Sequence, residues 1–312
     1  MTADHTIRVL LAAAVLLLAG MPFTPQWLMF LITLALAKGL VVLGLVLLMR
    51  TGLVSFGQGL YYCLGAYAAA LIDHAAGIHD AALMLLAALL VPVVVALVLG
   101  LLLASYRGIF FAMLSLAFSM IVFGLLIKTS ALGSSDGFNV ATRSILGFAI
   151  ADGYNGRVFL GTTVVLSVIA IAALHRYLNS HLGRLSAAVR DNELRVEYLG
   201  ASVRNVVHLN YVVAAALGGV GGGLTALAVG HIDPDMAYWT TSGEFVFVAV
   251  LSGTGNVLAP FFGSVIFEAI RTLANQYAPN IWQMTLGIAM LGIIMFLPAG
   301  LWALFRPKAR TA

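Results

Sequence analysis

The groups best placed to do chemistry in this sequence are charged side chains inside long apolar stretches. Lys38 lies near the middle of one stretch, and Glu268 and Arg271 lie three residues apart in another, where they are predicted to pair locally. A charge at membrane depth is costly, so it usually has a partner or faces water on a substrate or ion path. Three explanations of the Lys38 charge stay open. Lys38 is paired with an opposite charge, it faces a water-filled cavity, or its side chain extends to the membrane interface. For Glu244, at the start of a stretch, an interfacial position is favoured.

A polar and aromatic patch follows Gly52. It contains Ser55, Gln58, Tyr61 and Tyr62, with two further glycines that would loosen a helix. A broken helix on a substrate path and ordinary close packing explain this patch equally well. The predicted translocation path consists of Lys38, Ser55, Gln58, Tyr61 and Glu244.

Other chemistries find little support in the sequence. There is no G-x-x-x-x-G-K-[ST] motif, and none of the three lysines follows a glycine, so we expect no nucleotide site in this chain. His74 and His79, which stand beside Asp73 and Asp80, are predicted to be solvated loop residues and not metal ligands. The single Cys63 is predicted to be a packing residue. We expect no cofactor and no metal in this chain, and a protein that is not an enzyme.

The elements that must position these groups are predicted from composition. Hydrophobic residues make up 62% of the 312 residues and charged residues only 9%. Soluble domains carry about 25% charged residues, so this chain needs lipid around its apolar surface. We predict an all-α, polytopic transmembrane bundle in a single domain, 1–312, with about 8–10 spans, some short or re-entrant. The apolar stretches are residues 7–20, 27–49, 53–72, 81–105, 109–128, 158–177, 209–229, 242–252, 257–274 and 282–305.

Basic residues set the predicted orientation, because cytoplasmic loops of membrane proteins are rich in Lys and Arg. Ten crossings with both termini in the cytoplasm place most of the basic residues inside. These are Arg8, Arg50, Arg107, Arg176, Arg184, Arg190, Arg195, Arg204, Arg306, Lys308 and Arg310. The same orientation makes residues 129–157 an outer loop and residues 178–208 a cytoplasmic segment, called the inner segment below.

Within the inner segment, residues 185–199 are predicted to form one helix between Gly183 and Gly200. Leu194 and Tyr198, four residues apart, form an apolar spot on its polar side. The polar face mixes acidic and basic residues, which favours a protein partner over a lipid surface. The opposite, apolar face is predicted to carry Leu185, Val189, Val196 and Leu199.

Six short motifs occur in a fixed order along residues 40–305. They are Gly52-Leu53-Val54-Ser55-Phe56-Gly57-Gln58 with Gly65-Ala66-Tyr67, Arg107-Gly108-Ile109-Phe110-Phe111-Ala112, Ser135-Asp136-Gly137, the inner segment from Gly183 to Gly200, Leu251-Ser252-Gly253-Thr254-Gly255-Asn256 with Pro260, and Leu297-Pro298-Ala299-Gly300-Leu301. In this order they resemble the branched-chain amino acid permeases of ABC importers, of the LivM/LivH type. Gln58 stands where that family usually has His.

The resemblance implies a permease subunit of the bacterial inner membrane that works with a homologous permease subunit, two cytosolic ATPases and a periplasmic binding protein. ATP hydrolysis would take place on the ATPases, and no nucleic acid is involved. The implied cargo is a branched-chain amino acid or a related small polar solute, such as an amide or urea. An ion-coupled secondary transporter is the alternative. The residues implied to couple the chain to an ATPase are Gly183, Arg190, Glu193, Leu194, Glu197, Tyr198 and Gly200.

Overall fold

The computed structural model describes residues 3–77, 79–141, 144–145, 147–149, 155–277, 279–296 and 300–302. Parts of the predicted outer loop, residues 297–299 of the last motif, and Arg306, Lys308 and Arg310 lie outside the described residues.

The described residues form an all-α bundle, as predicted. The helices are α1 (Ala3–Gly20), α2 (Gln26–Arg50), α3 (Gln58–Ala76), α4 (Ala81–Leu103), α5 (Gly108–Lys128), α6 (Asn155–Asn179), α7 (His181–Asp191), α8 (Glu193–Tyr198), α9 (Val203–Val229), α10 (Trp239–Ser252), α11 (Ala259–Tyr277) and α12 (Trp282–Phe296). The strands have two residues each: β1 (Phe138–Asn139), β2 (Ser144–Ile145), β3 (Phe148–Ala149) and β4 (His231–Ile232). Antiparallel pairing joins β1 to β4 and β2 to β3.

Each predicted apolar stretch overlaps a helix, although residues 53–57 of the third stretch are not helical. Among the described residues, five helices are long and apolar enough to cross a membrane: α2, α4, α5, α6 and α9. The eighth stretch is short, as predicted, because α10 has only 14 residues and ends at Gly253. It packs against α11, the next helix in the chain, after the non-helical residues 253–258.

Helix α9 lies at the centre and packs against α2, α3 and α4. Its glycines allow very close approach: a Cβ on Gly222 would lie 1.8 Å from the carbonyl oxygen of Tyr62, and a Cβ on Gly219 would lie 2.3 Å from that of Ala88. Gly65 faces Gly219 from the α3 side at a similar separation. The sequence alone predicts this contact, because Gly218, Gly219, Gly222 and Gly223 form two small-xxx-small pairs, and the structure confirms it.

We name the two ends of the bundle after the predicted orientation: α9 starts at the inner end and finishes at the outer end. Helix α3 starts deep inside the bundle. Gly65 faces Gly219, which lies about 24 Å along α9 from Val203, and Gln58 begins α3 about 10 Å before Gly65. The predicted span 53–72 is therefore wrong at its start, because residues 53–57 are not helical and only residues from Gln58 onward are.

Residues 51–57, of which Thr51, Leu53, Ser55 and Gly57 are buried, cross the inner part of the bundle without helical structure. Such backbone is stable at membrane depth only when protein groups satisfy its donors. The amide of Phe56 donates to Ser115 Oγ at 3.1 Å, and the amide of Gly57 donates to Ser55 Oγ at 3.2 Å. The amide of Gly59, in the first turn of α3, donates to Ser242 Oγ at 3.0 Å. Three serine hydroxyls therefore make this helix start possible.

The inner segment differs from the prediction of one helix over 185–199. It contains two helices, α7 and α8, separated at Asn192, whose backbone is extended (φ −163°). The Asn192 side chain accepts a hydrogen bond from the amide of Arg195 at 3.0 Å and so caps α8. Asn favours the end of one helix and the start of another, because its side chain can accept a hydrogen bond from a free amide at a helix start.

Candidate translocation cavity and inner segment

Four charged side chains from three helices meet near the middle of the bundle. Lys38 of α2 donates to Glu268 Oε1 of α11 at 2.5 Å. Arg271, one turn further along α11, donates through Nη1 to Glu244 Oε2 of α10 at 3.2 Å. The same Nη1 lies 4.0 Å from Glu268 Oε1, so the predicted local pair exists but is the longest of the three contacts. The guanidinium also stacks 5.4 Å from the ring centre of Trp282.

The depth of this cluster follows from its neighbours. A Cβ on Gly221 would lie 2.5 Å from the carbonyl oxygen of Ala37, so Lys38 stands at the level of Gly221. That level is about 27 Å along α9 from Val203, with about 12 Å of helix remaining before Val229. The charges therefore lie inside the bundle on its outer side. The Lys38 side chain is only 13% exposed and that of Glu268 only 6%.

These charges line a cavity of about 510 Å³. Asp233 and Asp235, which follow β4 and precede α10, also line it. Apolar and aromatic side chains line it as well: Leu34, Tyr62, Val229 and Met236. The further lining residues are Thr225, Thr241, Thr272 and Asn275.

The structure divides the predicted path into two groups. Lys38 and Glu244 line the cavity, whereas Ser55, Gln58 and Tyr61 are fully buried around the start of α3 and do not line it. Both amide atoms of the Gln58 side chain have no hydrogen-bond partner among the described residues.

Sequence reasoning missed Tyr62, Asp233 and Asp235 as lining residues. Tyr62 follows Tyr61 on α3 but points to the other side of that helix, toward Phe245 of α10. The predicted ten crossings place both aspartates in an outer loop after the apolar stretch 209–229, and only the descent of residues 230–238 into the bundle brings them to the cavity.

The inner segment lies at the end of the bundle that also holds the predicted cytoplasmic arginines. Arg107, before α5, donates to both Glu193 oxygens at 2.8 and 3.0 Å. Arg50 donates to the carbonyl of Thr254 at 3.1 Å, and Arg204 donates to that of Leu101 at 2.8 Å. Each of these bonds joins two separate segments: the start of α5 to α8, the end of α2 to the turn after α10, and the start of α9 to the end of α4.

One face of the inner segment is anchored and the other is free. Val189 and Val196 are buried in the core that α4, α5 and α9 share. Leu194 is 65% exposed and Tyr198 is 89% exposed, as the predicted second apolar spot requires. Leu199, predicted on the buried face, is 79% exposed. That prediction is wrong because the helix is interrupted at Asn192 and α8 ends at Tyr198. Leu199 therefore does not lie on the same side as Val189 and Val196.

The remaining predicted coupling residues have structural positions of their own. Gly183 allows α7 to fold back on α6, since a Cβ there would lie 2.2 Å from the carbonyl oxygen of Tyr177. Gly200 has φ +84° and reverses the chain after α8. Arg190 lies against Gly52, and Glu197 is exposed on α8.

At the outer end, carboxylates hold the loops. Asp73 contacts His79 and accepts a hydrogen bond from the amide of Ala141 at 2.8 Å, and it is only 7% exposed. Of the two histidines predicted to be solvated loop residues, His74 is exposed but lies in the last turn of α3, and His79 is held by Asp73. Asp80 accepts from the amide of Gly147 at 2.7 Å and caps α4. The amide of Gly147, followed by those of the first turn of α4 and the Ser144 hydroxyl, holds the pKa of Asp80 below its ordinary value.

The fold and the charged cavity define a polytopic helical membrane protein. A family model described as "Branched-chain amino acid transport system / permease component" matches residues 27–297. The chain therefore belongs to this family of permease components.

The individual proteins to which the chain is similar are permease proteins of the same kind. The chain is 26% identical over 285 residues to the high-affinity branched-chain amino acid transport system permease protein LivM of Escherichia coli K12, covering 83% of this chain and 66% of the relative. It is 23% identical over 274 residues to BraD of Pseudomonas aeruginosa, covering 82% and 87%. It is 26% identical over 144 residues to LivH of Escherichia coli K12, covering 46% and 45%. The match thus spans just under two thirds of the LivM relative, and no solved structure matches the chain.

Proposed function

We propose that this chain is a membrane-spanning permease subunit of an ATP-driven importer that moves branched-chain amino acids or related small polar solutes. The observation that carries the proposal is the free apolar surface of the inner segment. Leu194, Tyr198 and Leu199 are exposed on a segment whose other face Val189 and Val196 anchor in the core. An exposed apolar surface on an anchored element is typical of a protein interface.

In this proposal the anchored face transmits movement. A cytosolic ATPase binds the exposed face, and its closure on ATP moves α8. The Arg107–Glu193 pair carries that movement to the connection between α4 and α5, and Val189 and Val196 carry it to α9. Access to the cavity then alternates between the two ends, provided that the ATP-bound partner binds one state more tightly than the other.

The assembly and its location belong to the same proposal. The chain pairs with a homologous, LivH-type permease, two ATPases and a periplasmic binding protein in a bacterial inner membrane, with both termini in the cytoplasm. The clustering of Arg50, Arg107 and Arg204 at the end that holds the inner segment supports this orientation. Nucleotide chemistry stays on the ATPases, and this chain holds no cofactor of its own.

The test is co-purification and uptake. The chain is co-expressed with its neighbouring genes, and ATP-dependent leucine uptake is measured in proteoliposomes that contain the binding protein. We expect Leu194→Ala with Tyr198→Ala to abolish ATPase co-purification and uptake without loss of folded protein. Glu193 is left intact because it belongs to an internal ion pair.

A matched control removes an exposed apolar pair of the same spacing elsewhere. Leu90→Ala with Val94→Ala on α4, 50% and 59% exposed, should leave co-purification and uptake unchanged. Full uptake by the chain without any ATPase would contradict the proposal.

One observation favours an ion-coupled carrier as the second candidate. The Lys38–Glu268 pair is buried at membrane depth, where charged pairs in carriers serve as ion or proton relays. An ion-coupled carrier would take up solute in response to an imposed proton or sodium gradient in the absence of ATP. Uptake that depends on ATP and is indifferent to both gradients would exclude it.

A further inference from the structure

Four polar side chains form a line through the apolar inner half of the bundle, on the inner side of the charged cavity. They are Gln58 and Tyr61 of α3 and His208 and Tyr211 of α9, and together they are named the polar column. We infer that the polar column is the inner half of the solute route through this chain, and that Gln58 contacts the solute as it leaves the cavity. This inference rests on the proposed transport function and adds the place where inner access opens.

Gln58 is the residue that points most directly to a ligand. Its side chain is fully buried at the first position of α3, and neither amide atom has a hydrogen-bond partner among the described residues. The backbone around it is satisfied, because the amides of Phe56 and Gly59 donate to serine hydroxyls. A buried amide without a partner is costly, and leucine or methionine would fill the same space without that cost. Water or solute that enters the bundle is therefore the expected partner of Gln58.

Tyr61 continues the polar column from Gln58 to α9. A Cβ on Gly218 would lie 3.2 Å from Gln58 Oε1 and 3.1 Å from the Cβ of Tyr61, so both side chains start at the same glycine of α9. The rings of Tyr61 and Tyr211 meet edge to face, with 5.5 Å between their centres. The two tyrosines therefore connect Gln58 with the part of α9 nearer the inner end.

His208 brings the polar column close to the inner end. Its Nδ1 atom is buried without a hydrogen-bond partner among the described residues, and a Cβ on Gly100 of α4 would lie 2.7 Å from it. The same Cβ would lie 3.1 Å from Cδ1 of Tyr211, so the two side chains are neighbours. His208 stands about 7.5 Å along α9 from Val203, and Gly218 stands about 22 Å along it. The polar column therefore covers about 15 Å of the inner half of the bundle.

The outer end of the polar column adjoins the charged cavity. Tyr62 lines that cavity and follows Gln58 by four residues, which places Gln58 about one turn further in on nearly the same side of α3. On α9, Thr225 lines the cavity, and Gly218 precedes it by about two turns on the same side. The cavity and the polar column are therefore consecutive along both helices.

The inner segment reaches the start of α3 through the non-helical residues 51–57. Arg190 of α7 packs against Gly52, whose Cβ would lie 3.4 Å from the Arg190 Cγ atom. Residues 53–57 then lead directly to Gln58. In the proposed mechanism, movement of α7 with a bound ATPase shifts the start of α3 against α9 and opens the contact between Gln58 and Gly218 to water and solute.

The test is the reactivity of a cysteine that replaces Gln58. Methanethiosulfonate reagents attack the thiolate, which forms readily only where water reaches the thiol. Gln58→Cys is made together with Cys63→Ala, because Cys63 is the single cysteine of the chain. The complex of this chain with its partner permease and ATPases is placed in nanodiscs. Modification by the charged reagent sulfonatoethyl methanethiosulfonate is timed by mass spectrometry, without nucleotide and with ATP and vanadate.

Leu60→Cys, in the same Cys63→Ala background, is the matched control. Leu60 is as fully buried as Gln58 but lies on the opposite side of α3, in an apolar cluster. We expect Gln58→Cys to react at least about tenfold faster than Leu60→Cys in at least one of the two nucleotide states. Reaction no faster than that of Leu60→Cys in both states overturns the inference.

Two further variants separate a residue on the route from a buried structural one. Gln58→Leu removes the unpaired amide, so the purified protein should be at least as stable as the wild type. The maximal rate of leucine uptake should nevertheless fall at least about tenfold, because an apolar side chain there keeps water out of the polar column. The concentration of binding protein that gives half-maximal uptake should not change, since the outer end is unaltered.

Gln58→His keeps a donor and an acceptor and should retain more uptake than Gln58→Leu. Uptake by Gln58→Leu at the wild-type rate overturns the inference. If Gln58→Cys does not assemble, the comparison of Gln58→Leu with Gln58→His decides by itself.

The same preparation separates this inference from the proposed function. ATP-dependent leucine uptake by the wild-type complex with the binding protein tests the importer alone. Such uptake, combined with a Gln58→Cys thiol that is protected in both nucleotide states, overturns the inner route and leaves the importer standing. A wild-type chain that binds no ATPase and shows no ATP-dependent uptake overturns the importer itself.

Discussion

The ammonium group of Lys38 on α2 donates to the Glu268 carboxylate on α11 at 2.5 Å, with both side chains almost completely buried. This bond joins two helices that the sequence separates by 230 residues. Breaking a buried pair from one side leaves an uncompensated charge, which costs more than removing both groups together.

We therefore expect Lys38→Met to lower the free energy of unfolding by about 3 kcal/mol, and Lys38→Met with Glu268→Gln to recover much of the loss. The measurement is a denaturation titration of purified protein in mild detergent. Lys128→Met, which removes an exposed lysine at the end of α5, is the control and should have little effect. Equal losses in the single and the double variant would show that the pair does not couple the helices.

The close approach of α9 to α3 makes a second prediction. Because a Cβ on Gly222 would lie 1.8 Å from the Tyr62 carbonyl oxygen, Gly222→Ala must push the two backbones apart. We expect little or no monodisperse protein after purification. Gly124→Ala, on α5 with open space around its Cβ position, should purify normally, with a slight gain in stability.

The Arg107–Glu193 pair provides a test of transmission. Its side chains are 30% and 39% exposed, so Glu193→Gln should cost less than about 1 kcal/mol of stability. In the proposed mechanism the same change loosens α8 from the connection before α5 and lowers leucine uptake per ATP hydrolysed. The reversed pair, Arg107→Glu with Glu193→Arg, should restore part of that ratio. Glu197→Gln, an equal change of charge on the exposed side of α8, should not alter the ratio.

The lowered pKa of Asp80 leads to a prediction of how the outer loop responds to pH. Its folded pKa is depressed, so the stability that it contributes is present above the unfolded value of about 3.9 and is lost as the pH falls through the folded value. Hydrogen exchange at Gly147, corrected for intrinsic rates, should stay slow from neutral pH down to about pH 4 and accelerate below it.

Asp80→Asn should make that amide exchange faster already at neutral pH, because a neutral side chain accepts a weaker hydrogen bond than a carboxylate. Asp136→Asn in the same loop is the control, since the only hydrogen bond of the Asp136 side chain among the described residues is the one that it accepts from the neighbouring Ser135 hydroxyl. Unchanged protection in Asp80→Asn would mean that the carboxylate does not hold the loop.

Much of the fold was accessible from the sequence. Each apolar stretch overlaps a helix, and the glycines around Gly219 mark a tight helix contact, because apolar runs and small residues act locally. The break at Asn192 escaped prediction, since the hydrophobic spacing of Val189 and Val196 fits a continuous helix and only the capping bond from Arg195 reveals the interruption.

For the candidate site, the division between what the sequence predicts and what only the tertiary structure decides is sharper. The sequence identified Lys38, Glu244, Glu268 and Arg271 as charges that apolar surroundings make expensive, because that cost depends only on the neighbours in the chain. It could not pair them, and the nearest candidate, Glu268 with Arg271, became the longest contact. The cross-helix pairs depend on which helices pack together.

The sequence by itself determined that this protein is a helical membrane bundle whose interior holds a few costly charges, since composition and spacing set the preference of each segment for lipid. The tertiary structure alone decided that Lys38 meets Glu268, that Arg271 meets Glu244, and that all four line one cavity. The physical reason is that an ion pair requires atoms within a few ångströms of each other, and the packing of α2, α10 and α11 sets that distance.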